Sequence, residues 1–153
     1  MIVLARTQRE WSTLADFLQE HAGVALSMDL RMMGWVTDSE LKIVVGFSGF
    51  IGKVCQMHLA MIPGFHFSPK AMLKAAFHYA FKDAKVEMVI GLVNSKNKEA
   101  MVYDKNLGFT ELYRLPKLHD DGGDIVVLGM TKEQCRYLGP ELINEFTQVE
   151  GHA

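Results

Sequence analysis

Apolar positions along the chain follow two rhythms, and each switch between them marks an element boundary. Ile2 to Arg6 is a short apolar run that predicts a first strand. From Glu10 to His21 the rhythm is helical. Trp11, Leu14, Phe17 and Leu18 share a face, while Arg9, Asp16 and Glu20 lie elsewhere, and Gly23 follows as a stop. Val24 to Leu30 fits either a short helix or a substrate-side loop. Arg31 to Thr37 and Leu41 to Phe50 read as strands about an Asp38-Ser39 turn, the second broken by Gly46 and Gly49. Gly52 marks the next turn, and Lys53 to Met61 is a fourth strand.

That fourth strand alternates. Val54, Gln56, His58 and Ala60 point one way, and Cys55, Met57, Leu59 and Met61 the other. Gln56 and His58 put polar groups in the middle of one face, which is unusual for a buried strand. The segment Pro69 to Ala84 is amphipathic at helical spacing, with Leu73, Ala76, Phe77, Ala80, Phe81 and Ala84 as its core stripe. Ser68 is the expected N-cap and Pro69 the first helical residue. Lys70, Lys74, His78 and Lys82 recur every four residues on another face, and for His78 and Lys82 a solvated face is the expected role.

Val86 to Val93 is almost continuously apolar, as for a central strand covered on both faces. A polar loop, Asn94 to Lys96, precedes a second helix, Asn97 to Leu107, which Gly108 can end in the left-handed conformation. Thr110 to Pro116 and Asp124 to Met130 are strands joined by a flexible hairpin loop, Lys117 to Gly123. Thr131 is placed to cap a short terminal helix ended by Gly139-Pro140, followed by a second weak helix and a frayed tail to Ala153. Two helix N-termini thus leave one sheet edge, between Lys53 and Phe109. Each presents unpaired N–H groups and partial positive charge suited to an anion.

Composition narrows the class. The 153 residues are 49% hydrophobic and 22% charged, an ordinary globular balance that suits a single domain over residues 1–153. A net charge of −2 makes no electrostatic case for nucleic acid. No apolar run reaches the roughly 18 residues of a membrane helix. The N-terminus lacks the basic-then-apolar pattern of a signal peptide. Cys55 and Cys135 are far apart without metal or redox spacing and read as free thiols, so the expected compartment is the cytoplasm. Cys55 and His58 sit on opposite strand faces, and His119-Asp120-Asp121 with Asp124 reads as an acidic turn, so no metal is expected. No Gly-rich turn follows the first strand, which argues against a dinucleotide fold.

The order β-α-β-β-β-α-β-α-β-β, with Asn97, Ala100, Leu107, Gly108 and Phe109 spaced N-x-x-A-x(6)-L-G-F, resembles the GNAT family of acyl-CoA N-acyltransferases. The chain is also similar to small GNAT proteins of tailed bacteriophages, through its VVGF…GKVCQMH and EQCRYL segments. The resemblance implies an α/β fold with a mixed, mostly antiparallel sheet splayed between strands four and five. It implies acetyl-CoA as co-substrate, an amine-bearing small molecule or protein as acceptor, and direct attack in a ternary complex. It places the pantetheine arm on the backbone of His58, Leu59, Ala60 and Met61, the pyrophosphate on Ile62 to Lys70, and the Asn97 side chain on the cofactor. A homodimer through the late strands or the terminal helix is compatible with the pattern.

Two departures from the family pattern matter. Its pyrophosphate loop reads Q/R-x-x-G-x-G/A, whereas this chain has PGFHFSPK with one glycine, Gly64. The cradle then falls to Ser68 and the N–H groups of Lys70, Ala71 and Met72. The tyrosine that often returns a proton to the CoA thiolate maps to Asp104, with Tyr103 one residue earlier. One helical residue is a rotation of about 100°, so Tyr103 reads as a core residue and Asp104 as an exposed one, and both are candidate acids. His58, on the strand where the family often places its base, is the leading base, weighed against a hydrogen-bonded core histidine. Gln56 could hold a water. His66 and His119 read as loop surface or substrate mouth, and His21 as a helix-end cation. The alternative to an enzyme is a non-catalytic GNAT-fold interaction protein with a degenerate CoA site.

Overall fold

The computed structural model describes residues 1–65 and 69–138. Its elements are β1 (Ile2–Leu4), α1 (Gln8–Ala22), β2 (Arg31–Thr37), β3 (Glu40–Ile51), β4 (Val54–Met61), α2 (Lys70–His78), β5 (Met88–Asn94), α3 (Lys98–Leu107), β6 (Thr110–Leu115) and β7 (Ile125–Thr131). The strands form one sheet in the order β1-β2-β3-β4-β5-β7-β6. Every pairing is antiparallel except β4 with β5, as a strand–helix–strand crossover requires.

β1 ends two residues earlier than its apolar run suggests. The cause is the start of α1, where Thr7 and Glu10 form a capping box. The Glu10 carboxylate accepts from the Arg6 and Thr7 N–H groups, which draws Arg6 out of the strand. Gly23, at φ 63°, closes the helix. α1 packs Leu14, Ala15, Phe17 and Leu18 with Val44 and Ala60 on one face of the β2–β4 half of the sheet. α2 and α3 share the larger core on the other face, with Phe77, Val89, Leu107, Leu128 and Met130.

α2 begins one residue later than expected. Pro69 is its N-cap, with extended ψ of 136° and no side-chain cap bond, and the expected cap, Ser68, lies outside the described residues. The helix runs on into a π-helical turn, Tyr79–Asp83, closed by the Ala84 N–H on the Tyr79 carbonyl at 2.8 Å. His78 is not on a solvated face but only 5% exposed, with Nδ1 3.8 Å from the Asp83 carboxylate. The four-residue repeat misleads here because α2 is enclosed on more than one side: Met72 and Ala75 are buried as well as the predicted stripe.

β5 is covered on one face only. Val89 is fully buried under α2 and α3, but no described helix packs on the opposite face of β5, β7 and β6. Leu92 and Tyr113 are therefore 52% and 65% exposed. Residues 132–138 form turns rather than the expected terminal helix, anchored by reciprocal bonds between Thr131 and Gln134 and by Tyr137 stacked on Phe77. Gly139-Pro140 and the second expected helix lie outside the described residues. The Lys117 to Gly123 connector is a hairpin loop, but it is pinned rather than loose, as described below.

Candidate active site

The organising feature is a split in the sheet. β4 and β5 pair only through Val54↔Met88, Cys55↔Val89 and Gln56↔Ile90. Beyond that, β4 stays with β3 as far as Ile43↔Met61, and β5 stays with β7 as far as Asn94↔Ile125. Each strand is held by its outer neighbour, and the ordinary twist between neighbouring strands carries their C-terminal halves apart. A cleft of about 850 Å³ fills the opening, with Met57, His58, Leu59 and Met61 on one wall and Gly91 to Asn94 on the other.

Strand alternation decides which β4 groups face the gap. The Ile62 N–H donates to the Lys42 carbonyl on the β3 side. Pairs two residues apart repeat that pattern, so the backbones of Ala60 and His58 are committed to Val44 and Gly46. The N–H and C=O groups of Met57, Leu59 and Met61 therefore point into the gap. Of the residues expected to carry the pantetheine arm, Leu59 and Met61 offer such groups and Ala60 does not. The Ala60 side chain is buried under α1.

The β5 wall continues into α3. Asn97 is the N-cap, its Oδ1 accepting the Ala100 N–H at 3.1 Å, which leaves its amide NH₂ as the group to meet a ligand. Asn97, Tyr103 and Asp104 all line the cleft. Asp104 is not an exposed helix residue: burial pushes its carboxyl up from 3.8 to about 6. Behind this wall the β6–β7 hairpin loop is locked to the β5–α3 loop. The Asn94 amide donates to the Asp121 carboxylate at 2.6 Å, Lys96 Nζ to the Asp121 carbonyl at 2.6 Å, and the Asp124 N–H to Ser95 Oγ at 2.8 Å. The lock brings His119 to the cleft, with Nδ1 3.3 Å from the Asn94 amide.

On the β4 wall, His58 Nε2 lies 2.7 Å from Ser48 Oγ on β3. Burial lowers the His58 pKa, opposed by the charge of Asp29. Asp29 is fixed at the end of the Val24 to Leu30 segment by the Ser27 hydroxyl and the Phe50 N–H. Those bonds hold its own pKa low and make that segment a loop tied to β3. Burial also pushes the Cys55 thiol up to about 12, so it is neutral and no nucleophile.

The residues expected to cradle phosphate are less well gathered. Ile62, Pro63, Gly64 and Phe65 line one end of the cleft, with Gly64 at φ 80°. Lys70 and Ala71 are exposed and Met72 is buried, and none of the three lines the cleft. The Met72 N–H is already given to the Pro69 carbonyl at 3.0 Å. No Lys or Arg lines the cleft among the described residues.

No model of a known protein family matches the sequence, and no curated protein does. Solved structures do match. A spermidine/spermine N-acetyltransferase from Vibrio cholerae superposes with a TM-score of 0.69 at 11% identity, covering 94% of this chain and 97% of its own. The Vibrio cholerae spermidine N-acetyltransferase in complex with CoA and spermine gives 0.67 at 12% identity, covering 91% and 98%. A dodecameric form of the same enzyme gives 0.68 at 13%, covering 86% and 94%. The chain has the GNAT fold. The GNAT-like split between β4 and β5 thus accompanies near-complete coverage of both chains, at identities that speak to the fold alone.

Around this cleft the structure gathers His58, Leu59, Met61, Asn97, Tyr103 and Asp104. Sequence reasoning missed Ser48, Asp29 and Asn94. Ser48 carried a faint signal, as a hydroxyl in an apolar strand across a short hairpin from His58. Asn94 carried none, because its role depends on a loop partner 27 residues away. His21, read as a helix-end cation, also reaches the cleft.

Proposed function

We propose that the protein is an acetyl-CoA-dependent N-acetyltransferase acting on a primary amine. The observation that carries this reading is the β4–β5 split, with Leu59 and Met61 backbone groups turned into a cleft whose far wall holds Asn97 and Asp104. An extended amide-bearing arm can pair with an unpaired strand edge, which fits the pantetheine part of CoA. Holding the thioester beside an amine removes much of the entropy cost of bringing two reactants together.

In the reaction the amine nitrogen attacks the thioester carbonyl carbon. The C–N bond forms, the C–S bond breaks, and the proton shed by nitrogen balances the charge on the departing thiolate. Backbone N–H groups at the gap stabilise the developing oxyanion. His58 and Asp104, both with pKa values moved by burial, are among the titratable side chains that line the cleft. Spermine, bound by one structural neighbour, is the first acceptor to try. The resemblance to phage GNAT proteins would put the reaction in a host cytoplasm, carried out by one domain spanning the chain.

A titration of acetyl-CoA followed at backbone amides tests the site. Shifts at Leu59 and Met61 that exceed those at Ala60 and His58 are expected. Equal or absent shifts would reject the assignment. The second reading, a GNAT-fold interaction protein, draws on the lack of Lys or Arg among the described residues that line the cleft. It requires that acetyl-CoA fail to bind at millimolar concentration.

A further inference from the structure

We infer that Ser48 holds His58 with its proton on Nδ1, so that His58 serves the cleft as a hydrogen-bond donor and not as the base that takes the proton from the amine. The inference deepens the acetyltransferase reading and rests on it for its chemical meaning, though the tautomer itself does not.

Ser48 is 8% exposed, and its hydroxyl hydrogen needs an acceptor. A buried donor left unpaired costs about 1–3 kcal/mol. Among the described residues the one hydrogen-bond partner of Ser48 Oγ is His58 Nε2, at 2.7 Å. If Nε2 carried the proton, it would donate to Oγ and the hydroxyl hydrogen would have no acceptor. If Nε2 is bare, the hydroxyl donates to it and both groups are satisfied. A neutral imidazole carries one proton, so that proton then sits on Nδ1.

The ring is neutral near pH 7 because burial works against the imidazolium, and the Asp29 carboxylate opposes this only in part. His58 lines the cleft, whereas Ser48 does not. The ring nitrogen left for a ligand is then Nδ1, and it presents N–H. A donor there suits an oxygen that gains negative charge, such as the thioester carbonyl. Proton removal from the amine then falls to another group lining the cleft, such as the Asp104 carboxylate on the α3 wall. Ser48 is a positioning residue: it acts only by choosing the His58 tautomer.

The test is ¹⁵N spectroscopy of the imidazole rings in the full-length protein at pH 7, without any ligand. The expected wild-type spectrum shows His58 with Nδ1 protonated and Nε2 bare. Ser48→Ala is expected to move it toward the Nε2–H form that histidine favours in water, and Ser48→Thr, which keeps the hydroxyl, to hold the wild-type pattern. A wild-type His58 protonated on Nε2 overturns the inference, whether or not Ser48→Ala folds. So does a Ser48→Ala spectrum unchanged from wild type. Failure of acetyl-CoA to bind would sink the acetyltransferase reading but leave this spectrum as it is.

Discussion

The two helices that leave the split edge of the sheet begin in different ways. α3 starts from a built corner. Asn97 caps it, the Asn97 N–H returns to the Asn94 carbonyl, and Asn94 in turn grips Asp121 on the neighbouring hairpin. α2 starts from Pro69 without a side-chain cap, after a loop in which a Cβ added at Gly64 would meet nothing within 4 Å. In the acetyltransferase reading, the α3 wall fixes where the ligand's reactive end sits, while the α2 side contributes little beyond helix N–H groups.

Substitutions on the two walls test this contrast. The largest effect is expected at Asp104. Its pKa is raised from 3.8 to about 6 by burial, so the folded chain keeps a proton that the unfolded chain releases. Wild-type stability should therefore fall as pH rises from about 4 through 6 and stay reduced above that, by about 3 kcal/mol for a shift of this size. Asp104→Asn should abolish that slope and be the more stable protein at pH 7, read from urea unfolding at a series of pH values. An unchanged slope would show that Asp104 is not the buried acid.

Next is the lock. A Cβ at Gly123 would stand 2.2 Å from Asn94 Oδ1, 3.0 Å from Asp121 Oδ1 and 3.2 Å from the Lys96 side chain. Gly123→Ala should cost about 2 kcal/mol, as overpacked sites do, and weaken acetyl-CoA binding by disturbing the corner that seats Asn97. Gly64→Ala on the opposite side has open space and pays only for its φ of 80°, about 1 kcal/mol. Should Gly64→Ala prove the more damaging, the contrast between the two sides would be reversed.

The smallest effect separates structure from binding at one residue. Asn97→Ala should lose about 1 kcal/mol of stability with its cap and also lose acetyl-CoA affinity. Asn97→Ser keeps a capping oxygen without the amide NH₂, so it should recover the stability and not the affinity. Recovery of both would mean that Asn97 acts through the helix alone.

These same positions show how far sequence carries. The order and type of most elements were readable because apolar spacing reports on which face is buried, and Arg31 to Thr37 is a strand at both ends as expected, but the ends of β1, α2 and β5 differ from the expected ones. The Gly108 stop was equally plain, since local backbone chemistry decides it, whereas Asn97, expected as the first helical residue, is the cap of a helix that begins at Lys98. Two kinds of feature were not legible. One is enclosure by elements distant in sequence, which buries His78 and partly buries Asp104 despite their polar spacing and leaves Leu92 half-exposed despite its apolar run. The other is polar pairing across the sheet or between loops, such as Ser48 with His58 or Asn94 with Asp121. Those pairs depend on register and loop path, which no local pattern encodes.

The central claim is that the split between β4 and β5 is an acetyl-CoA site. Calorimetric titration of acetyl-CoA into the full-length protein tests it most directly. The expected result is saturable one-to-one binding that Asn97→Ala weakens while Lys70→Ala, at the exposed start of α2, leaves it within about twofold, a few tenths of a kcal/mol. No heat of binding up to millimolar acetyl-CoA would contradict the claim.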